Sequence, residues 1–248
     1  YDHPASPCAR RVRIALIEKQ LHWRSRVIDL EHMEQKSPWY LALNPNGIVP
    51  TLQHGAHVVW ESNVITEYVD DVFPGLKLYP GDPWERVQVK MWQAFELEMA
   101  KEFRPLLYHR LMGPMKRALP RDEVLAIARR HTTDPVHLEW AARVYDGEVL
   151  TESEAARLTT LLYGRLRTLD ERLVGRPFLV GDAFSIADVS VLPAWRCIRG
   201  SGSRSTLAST RASQSGSSDS AVGRRSPEAS RRRTDREEQL LRVAGDEV

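Results

Sequence analysis

The sequence predicts two folded domains of different class and a tail. An α/β domain occupies residues 1–75, a linker residues 76–83, and an all-α domain residues 84–198. A low-complexity stretch over residues 199–248 follows. Three observations predict this. Strand-like and helix-like periods alternate over the first 75 residues. From Trp84 only the helical period recurs. Residues 201–233 carry 11 Ser and 7 Arg and no aromatic residue. That composition cannot bury a core and reads as disordered.

The elements follow in order. Residues 7–19 read as a helix, with Ser6 as N-cap, Pro7 at the first position and Val12, Ala15, Leu16 and Lys19 on one face. Residues 23–30 read as a strand, and Tyr1 as the end of an earlier one. Ser37-Pro38 opens a short helix. Residues 51–53 and 58–60 read as a hairpin around His54-Gly55. Residues 62–72 are helical until Phe73-Pro74-Gly75 stops them. A long helix is predicted over residues 84–111, with Val87, Met91, Phe95 and Met99 as its apolar stripe. Gly113-Pro114 interrupts it. Helices follow over 121–131, 135–145 and 152–173. Ser185 and Asp188 then have the spacing of a capping box.

Bulk composition excludes several classes. The 248 residues contain no apolar run long enough to span a membrane. Lys and Arg number 35 against 33 Asp and Glu. Nine of the Arg and seven of the acids fall in residues 201–248, leaving 26 of each sign before them. The body is therefore neutral and carries no footprint for nucleic acid. In the tail, Arg231-Arg232-Arg233 is offset by Asp235, Glu237 and Glu238. Two cysteines, Cys8 and Cys197, argue against a disulfide framework and for a reducing, cytoplasmic setting. The chain opens on Tyr1 and not on Met, so the lack of a leader is weak evidence. No metal-ligand cluster is read.

Residues 44–69 carry the chemistry. Asn44-Pro45-Asn46-Gly47-Ile48-Val49-Pro50-Thr51-Leu52 is a glycine-containing turn entering a strand. Glu61-Ser62 opens a helix nine residues later. Backbone on one flank and a helix N-terminus on the other suit an extended, charged, peptide-like ligand.

These residues resemble the glutathione S-transferase family, over roughly residues 1–195. Ser6-Pro7-Cys8, with Arg11-Val12-Arg13-Ile14-Ala15-Leu16, is similar to the opening of the zeta class and related bacterial transferases. Residues 44–52 and 61–69 resemble the family's glutathione-binding loop and helix. Ser185 and Asp188 resemble its capping box. The resemblance implies a thioredoxin-like N-terminal domain, a helical C-terminal domain, glutathione as co-substrate and a homodimer. It further implies a glutathione transferase acting on a small, hydrophobic or aromatic electrophile. A glutathione-dependent isomerase, β-etherase or reductive dehalogenase is the alternative, and a non-catalytic binding module a further one.

The family's chemistry needs a thiolate. A free thiol titrates near ~8.5, and each unit of lowering takes about 1.4 kcal/mol. Ser6, at a helix N-terminus, is where the zeta-like pattern places its catalytic serine; it is also a plain N-cap. Cys8 stands where other classes place a reactive cysteine; it is equally a small buried apolar residue. Val49, before an expected cis Pro50, is assigned to the cysteinyl backbone. Glu61 and Ser62 are assigned to the γ-glutamyl end, and Gln35 and Lys36 to the glycyl carboxylate. Met91, Phe95, Met99, Tyr108 and Met112 are candidate walls of the electrophile pocket, although such a stripe also reads as core. The long segment 113–150 resembles insertions in bacterial enzymes acting on aromatic substrates. The tail from about Pro193 reads as sequence out of frame, since the family's further helices are absent. That would truncate the second domain.

Overall fold

The computed structural model describes the backbone of residues 1–200 and the side chains of residues 1–194 apart from Met115. The expectation about an out-of-frame tail lies outside the described residues. The first helix, α1 (Pro7–Glu18), begins at Ser6, whose Oγ accepts from the Ala9 N–H at 3.2 Å. A 3-10 turn (Glu34–Lys36) leads into α2 (Pro38–Leu43). Strands β1 (Thr51–His54) and β2 (His57–Trp60) pair antiparallel, with Thr51 opposite Trp60 and His54 opposite His57. Gly55 turns the hairpin with φ of 59°. Helix α3 (Ser62–Val72) closes the first domain. It packs on α1 through a core of Val12, Leu16, Ile65 and Val69.

The strand expected over residues 23–30 is not formed. Only Val27 is bridged, in parallel, to Asp2. Among the described residues that bridge is the whole of the ladder along this segment, and one bridge does not make a strand. Asp2 donates to Arg26 O at 2.9 Å and accepts from Ile28 N at 2.8 Å. On the other side Tyr1 and Thr51 exchange two hydrogen bonds. The thioredoxin-like arrangement is present, with Tyr1 and Asp2 paired between residues 26–28 and Thr51.

The linker is docked. Leu78 and Tyr79 are buried. Their N–H groups donate to the Asp70 carboxylate at 2.8 and 3.1 Å, and Lys19 Nζ reaches the same carboxylate at 3.2 Å. Both side chains of this ion pair are almost fully buried.

The second domain is helical throughout the described residues. Helix α4 (Pro83–Leu107) is capped by Asp82. The helix expected to Leu111 ends earlier as an α-helix and passes into a π-turn (Tyr108–Met112). Pro105 precedes the change; it cannot donate to the carbonyl four residues back. Then come α5 (Gly113–Lys116), α6 (Arg121–His131), α7 (Pro135–Asp146), α8 (Glu152–Leu173) and α9 (Ile186–Gly200). A β-carbon on Gly113 would lie 2.6 Å from Val144 O, so glycine here admits the backbone of α7. The capping box at α9 is formed: Ser185 N and Oγ both donate to Asp188 Oδ2, while Asp188 Oδ1 accepts from Leu179 N. Burial, opposed by these bonds, raises the Asp188 carboxyl above its usual range.

Asp70→Ala leaves two linker N–H groups buried without their acceptor and the Lys19 ammonium buried without its counter-charge, held only by the carbonyls of residue 70 and Leu76. The expected loss is about 3–5 kcal/mol, measured by urea unfolding. A loss below about 1 kcal/mol would mean that the clamp does not hold the linker.

Candidate functional site

The loop before β1 is built by asparagines. Asn44, fully buried, donates from Nδ2 to Ile48 O at 2.9 Å and to Thr51 Oγ1 at 3.1 Å. Its Oδ1 accepts from Asn46 N at 3.0 Å, which forms an Asx turn. Gly47 follows with φ of 56°, and a β-carbon there would lie 2.8 Å from both Gln35 O and Lys36 Nζ. Only glycine fits this turn. The Val49–Pro50 bond is cis, and both residues are buried.

The turn meets the start of α3. Asn46 Nδ2 donates to Glu61 Oε1 at 2.9 Å, and Lys36 Nζ donates to Asn46 O at 3.0 Å. Glu61 sits at φ 67°, ψ 112°, a strained conformation for a residue with a side chain, and makes no capping bond to the helix. The first-turn N–H groups of α3 thus face outward without a side-chain cap from Glu61. Lys36 has its pKa lowered by burial, with the Asp134 charge opposing. This corner therefore combines a carboxylate, an ammonium and a bare helix N-terminus.

Beside it stands the start of α1. Ser6 accepts from Ala9 N, which leaves its hydroxyl proton free to donate. Cys8 is a free, half-buried thiol. Tyr108 lies within electrostatic reach of Cys8: burial raises its phenol pKa, Arg104 opposes, and Cys8 adds to the rise. The α1 terminus therefore faces the π-turn of the helical domain.

Family models match both halves of the chain: the glutathione S-transferase N-terminal domain over residues 5–72 and the C-terminal domain over residues 135–205. The chain belongs to the glutathione S-transferase family. That family uses glutathione as co-substrate. Among its relatives, Protein LigF of Sphingobium sp. (strain NBRC 103272 / SYK-6) is 44% identical over 79 residues, which is 31% of each chain. Maleylacetoacetate isomerase of Dictyostelium discoideum is 29% identical over 196 residues, 78% of this chain and 75% of the relative. The crystal structure of the β-etherase LigF superposes with a TM-score of 0.72 at 22% identity, covering 97% of this chain and 96% of that one. The match to the LigF sequence spans under a third of that protein's length.

Within this family member the predicted ligand-site residues separate into groups. Lys36 and Glu61 meet through Asn46 at the corner between the loop and α3, with Ser62 next on α3, while Val49 packs with Ile28 and Tyr40 ahead of Pro50. Gln35 turns inward: it is buried, and Nε2 faces Met33 Sδ at 3.8 Å, while Oε1 is buried without a partner. The candidate wall residues disperse. Met99 and Met112 are buried core. Phe95 stacks edge-on with Trp92 and under Arg165. Tyr108 stacks on Trp140 at 5.4 Å. Met91 is 61% exposed, one residue from Lys90, which pairs with Glu67 of α3. Of the stripe only Met99 is buried; it failed as a guide because α4 turns Val89, Gln93 and Glu96 inward with it.

Sequence reasoning missed Arg11. Only 2% exposed, it donates to Ser62 Oγ at 2.7 Å and to Ser190 O at 3.0 and 3.3 Å. Its Nη2 also lies 2.6 Å from Glu96 Oε2, an off-axis ion pair and not a hydrogen bond. Helical phase held the signal, since Arg11 lies one turn before buried Ala15 and beside Val12. Because Ser62 accepts from Arg11, its own proton remains available to a ligand.

Arg11→Leu should cost about 3–5 kcal/mol in urea unfolding, because Glu96 is left buried and unpaired. Adding Glu96→Leu should recover more than half of the loss. A double variant as unstable as the sum of the singles would mean that the pair is not coupled.

Proposed function

We propose that this chain is a glutathione transferase that holds glutathione along the loop–α3 corner and presents its thiol to the N-terminus of α1. The observation that carries the reading is the Asn46–Glu61 pair at the uncapped start of α3. Glu61 suits the γ-glutamyl ammonium, and the α3 N–H groups with the Ser62 hydroxyl suit its carboxylate. Lys36 suits the glycyl carboxylate, and the Val49 backbone the cysteinyl unit. The thiolate is the nucleophile toward a small hydrophobic or aromatic electrophile, and the helix dipole of α1 favours its charge. Ser6 donates to that thiolate, with Tyr108 beside the electrophile.

Retention on glutathione-agarose and thioether formation with chlorodinitrobenzene test the reading. Ser6→Ala should reduce kcat/KM by ~10–100-fold through loss of one charge-assisted hydrogen bond. The thiol pKa of bound glutathione should rise by about 1–2 units in parallel. Cys8→Ala should change kcat/KM by less than about threefold. The opposite pattern moves the role to Cys8; no loss in either variant removes the site assignment.

A second reading, glutathione-dependent cleavage of aryl ethers, is favoured by helices α6 and α7. Leu125, Ala128 and Ala141 from these helices pack on Met33, in the loop before Lys36. The added helices thus stand over the edge of the glutathione corner, a placement suited to enclosing an aromatic substrate. Turnover of β-aryl ethers, with none of maleylacetoacetate or chlorinated hydroquinones, would select it.

The transferase is further proposed to be a cytoplasmic homodimer. No helix of the described residues is long and apolar enough to cross a membrane. Val64, one turn before Glu67, and Val87 and Met91, flanking Lys90, are exposed along the α3–α4 seam. Three apolar side chains around one ion pair suit a second copy. Met91→Lys should shift sedimentation to the monomer with unchanged circular dichroism; a wild-type monomer at ~10 μM would end this proposal.

A further inference from the structure

Lys116, on α5, is a buried cation without a partner. It is 9% exposed, and among the described residues no hydrogen bond or ion pair reaches it. Its Nζ is not fully enclosed, so a ligand can reach it. An ammonium buried to this degree is normally paired. Here its compensation is at a distance: burial lowers the pKa, and the fields of Glu31 and then Asp29 oppose. Helix α5 packs against α7 and the π-turn, and Ala141 of α7 packs on Met33, so α5 stands beside the loop of residues 29–33.

That loop runs alongside the turn before Ser6, because Ile28 N donates to Asp2 O at 2.8 Å. Most of its acids are occupied. Asp29 accepts from His32 N at 3.0 Å and meets His32 Nδ1 at 2.6 Å, and Glu34 accepts from Asp29 N at 2.7 Å. Glu31 is half-buried and has no such contact among the described residues. His3 faces the same carboxylate from the other side. Its Nδ1 accepts from Ala5 N at 3.3 Å, which leaves the proton of the neutral ring on Nε2. Burial lowers the His3 pKa, with Glu31 first among the charges that oppose, so the ring is neutral at neutral pH.

The cluster lies on the electrophile side of the α1 terminus. Ser6 N donates to His3 O at 3.0 Å, and the π-turn that leads into α5 carries Tyr108, within reach of Cys8 and stacked on Trp140. Two donors and one acceptor, from three elements, therefore stand unfilled near an aromatic pair.

We propose that Lys116, Glu31 and His3 recognise a hydroxyl group on an aromatic electrophile. The proposal rests on the transferase reading and names the class of electrophile that its thiolate meets. The hydroxyl oxygen accepts from Lys116 Nζ and His3 Nε2, and its proton goes to Glu31. A hydroxyl satisfies all three groups. A carboxylate offers acceptors alone and meets Glu31 with like charge, and a methyl ether has no proton for Glu31. A site with buried polar groups rejects ligands that leave them unpaired.

4-Hydroxyacetophenone has the ring and the hydroxyl but no leaving group, so it tests the site apart from turnover. NMR titration of the intact chain compares it with 4-methoxyacetophenone and 4-acetylbenzoate. The hydroxyl compound should bind at least about tenfold more tightly than either. Lys116→Met and Glu31→Ala should each bring the hydroxyl-to-methoxy ratio below about threefold. Lys116→Met removes an unpaired buried charge, so its Tm should not fall. A ratio near one in the wild-type chain, or a ratio kept in both variants, overturns the proposal. Tightest binding of 4-acetylbenzoate does so too, since the site would then be one for anions. Turnover of chlorodinitrobenzene tests the transferase reading separately. No turnover with the ratio intact removes that reading and leaves this site; turnover with a ratio near one does the reverse.

Discussion

The buried guanidinium of Arg11 is the contact on which the rest of this molecule depends. It is the point where four helices meet: α1 carries it, α3 supplies Ser62, α4 supplies Glu96 and α9 supplies the Ser190 carbonyl. A charge this deep is tolerated only with its full set of acceptors, so the four elements must arrive together. The arrangement also ties the ligand corner to the helical domain. Ser62 sits at the first position of α3 and takes a hydrogen bond from the same group that pairs with α4. Any shift of α4 against the first domain is therefore felt at the residue assigned to the γ-glutamyl carboxylate. Ser190 Oγ extends the contact to Asn63 Oδ1, the next residue of α3.

The second constraint comes from the linker. Asp70 near the end of α3 gathers Lys19 from α1 and two N–H groups from residues 78 and 79. Leu78 O then accepts from Ile186 N at 3.0 Å, at the start of α9. The path from α3 through the linker to α9 thus returns to the helix that carries Ser190. Two separate polar clusters, one at each end of α3, fix the same pair of domains. Apolar packing alone is tolerant of sliding, whereas these clusters are directional.

Much of this was legible in the sequence, and the failures have physical causes. Ser6 with Pro7, the Gly47 turn, the Ser62 start of α3 and the Ser185–Asp188 box are local signals, each set within a few residues, whereas the cis Val49–Pro50 bond is an expectation of the family resemblance. They appear where the sequence placed them. The misses are non-local. Residues 23–30 have strand composition, but pairing is decided by what lies alongside, and among the described residues the one bridge there is Asp2 to Val27. Arg11 resembles its half-buried neighbours Arg10 and Arg13 in composition; what sets it apart is Glu96, 85 positions on in the chain. The α4 stripe misled because both faces of that helix carry large apolar residues, and only packing against α8 chooses between them.

The inserted helices bear on chemistry through charge as well as shape. Asp134, the N-cap of α7, is among the charges that act on Lys36, and Lys116 of α5 lies in the field of Glu31 and Asp29 in the same loop. Burial lowers the pKa of both lysines, so each is more sensitive to nearby acids than a solvated lysine would be. A carboxylate arriving at Lys36 meets an ammonium already within the field of α7. The helices that distinguish this chain from a compact transferase therefore stand beside the corner proposed for the co-substrate. Changing the insertion would be expected to alter glutathione affinity and electrophile choice together, because one loop, residues 29–36, supports both.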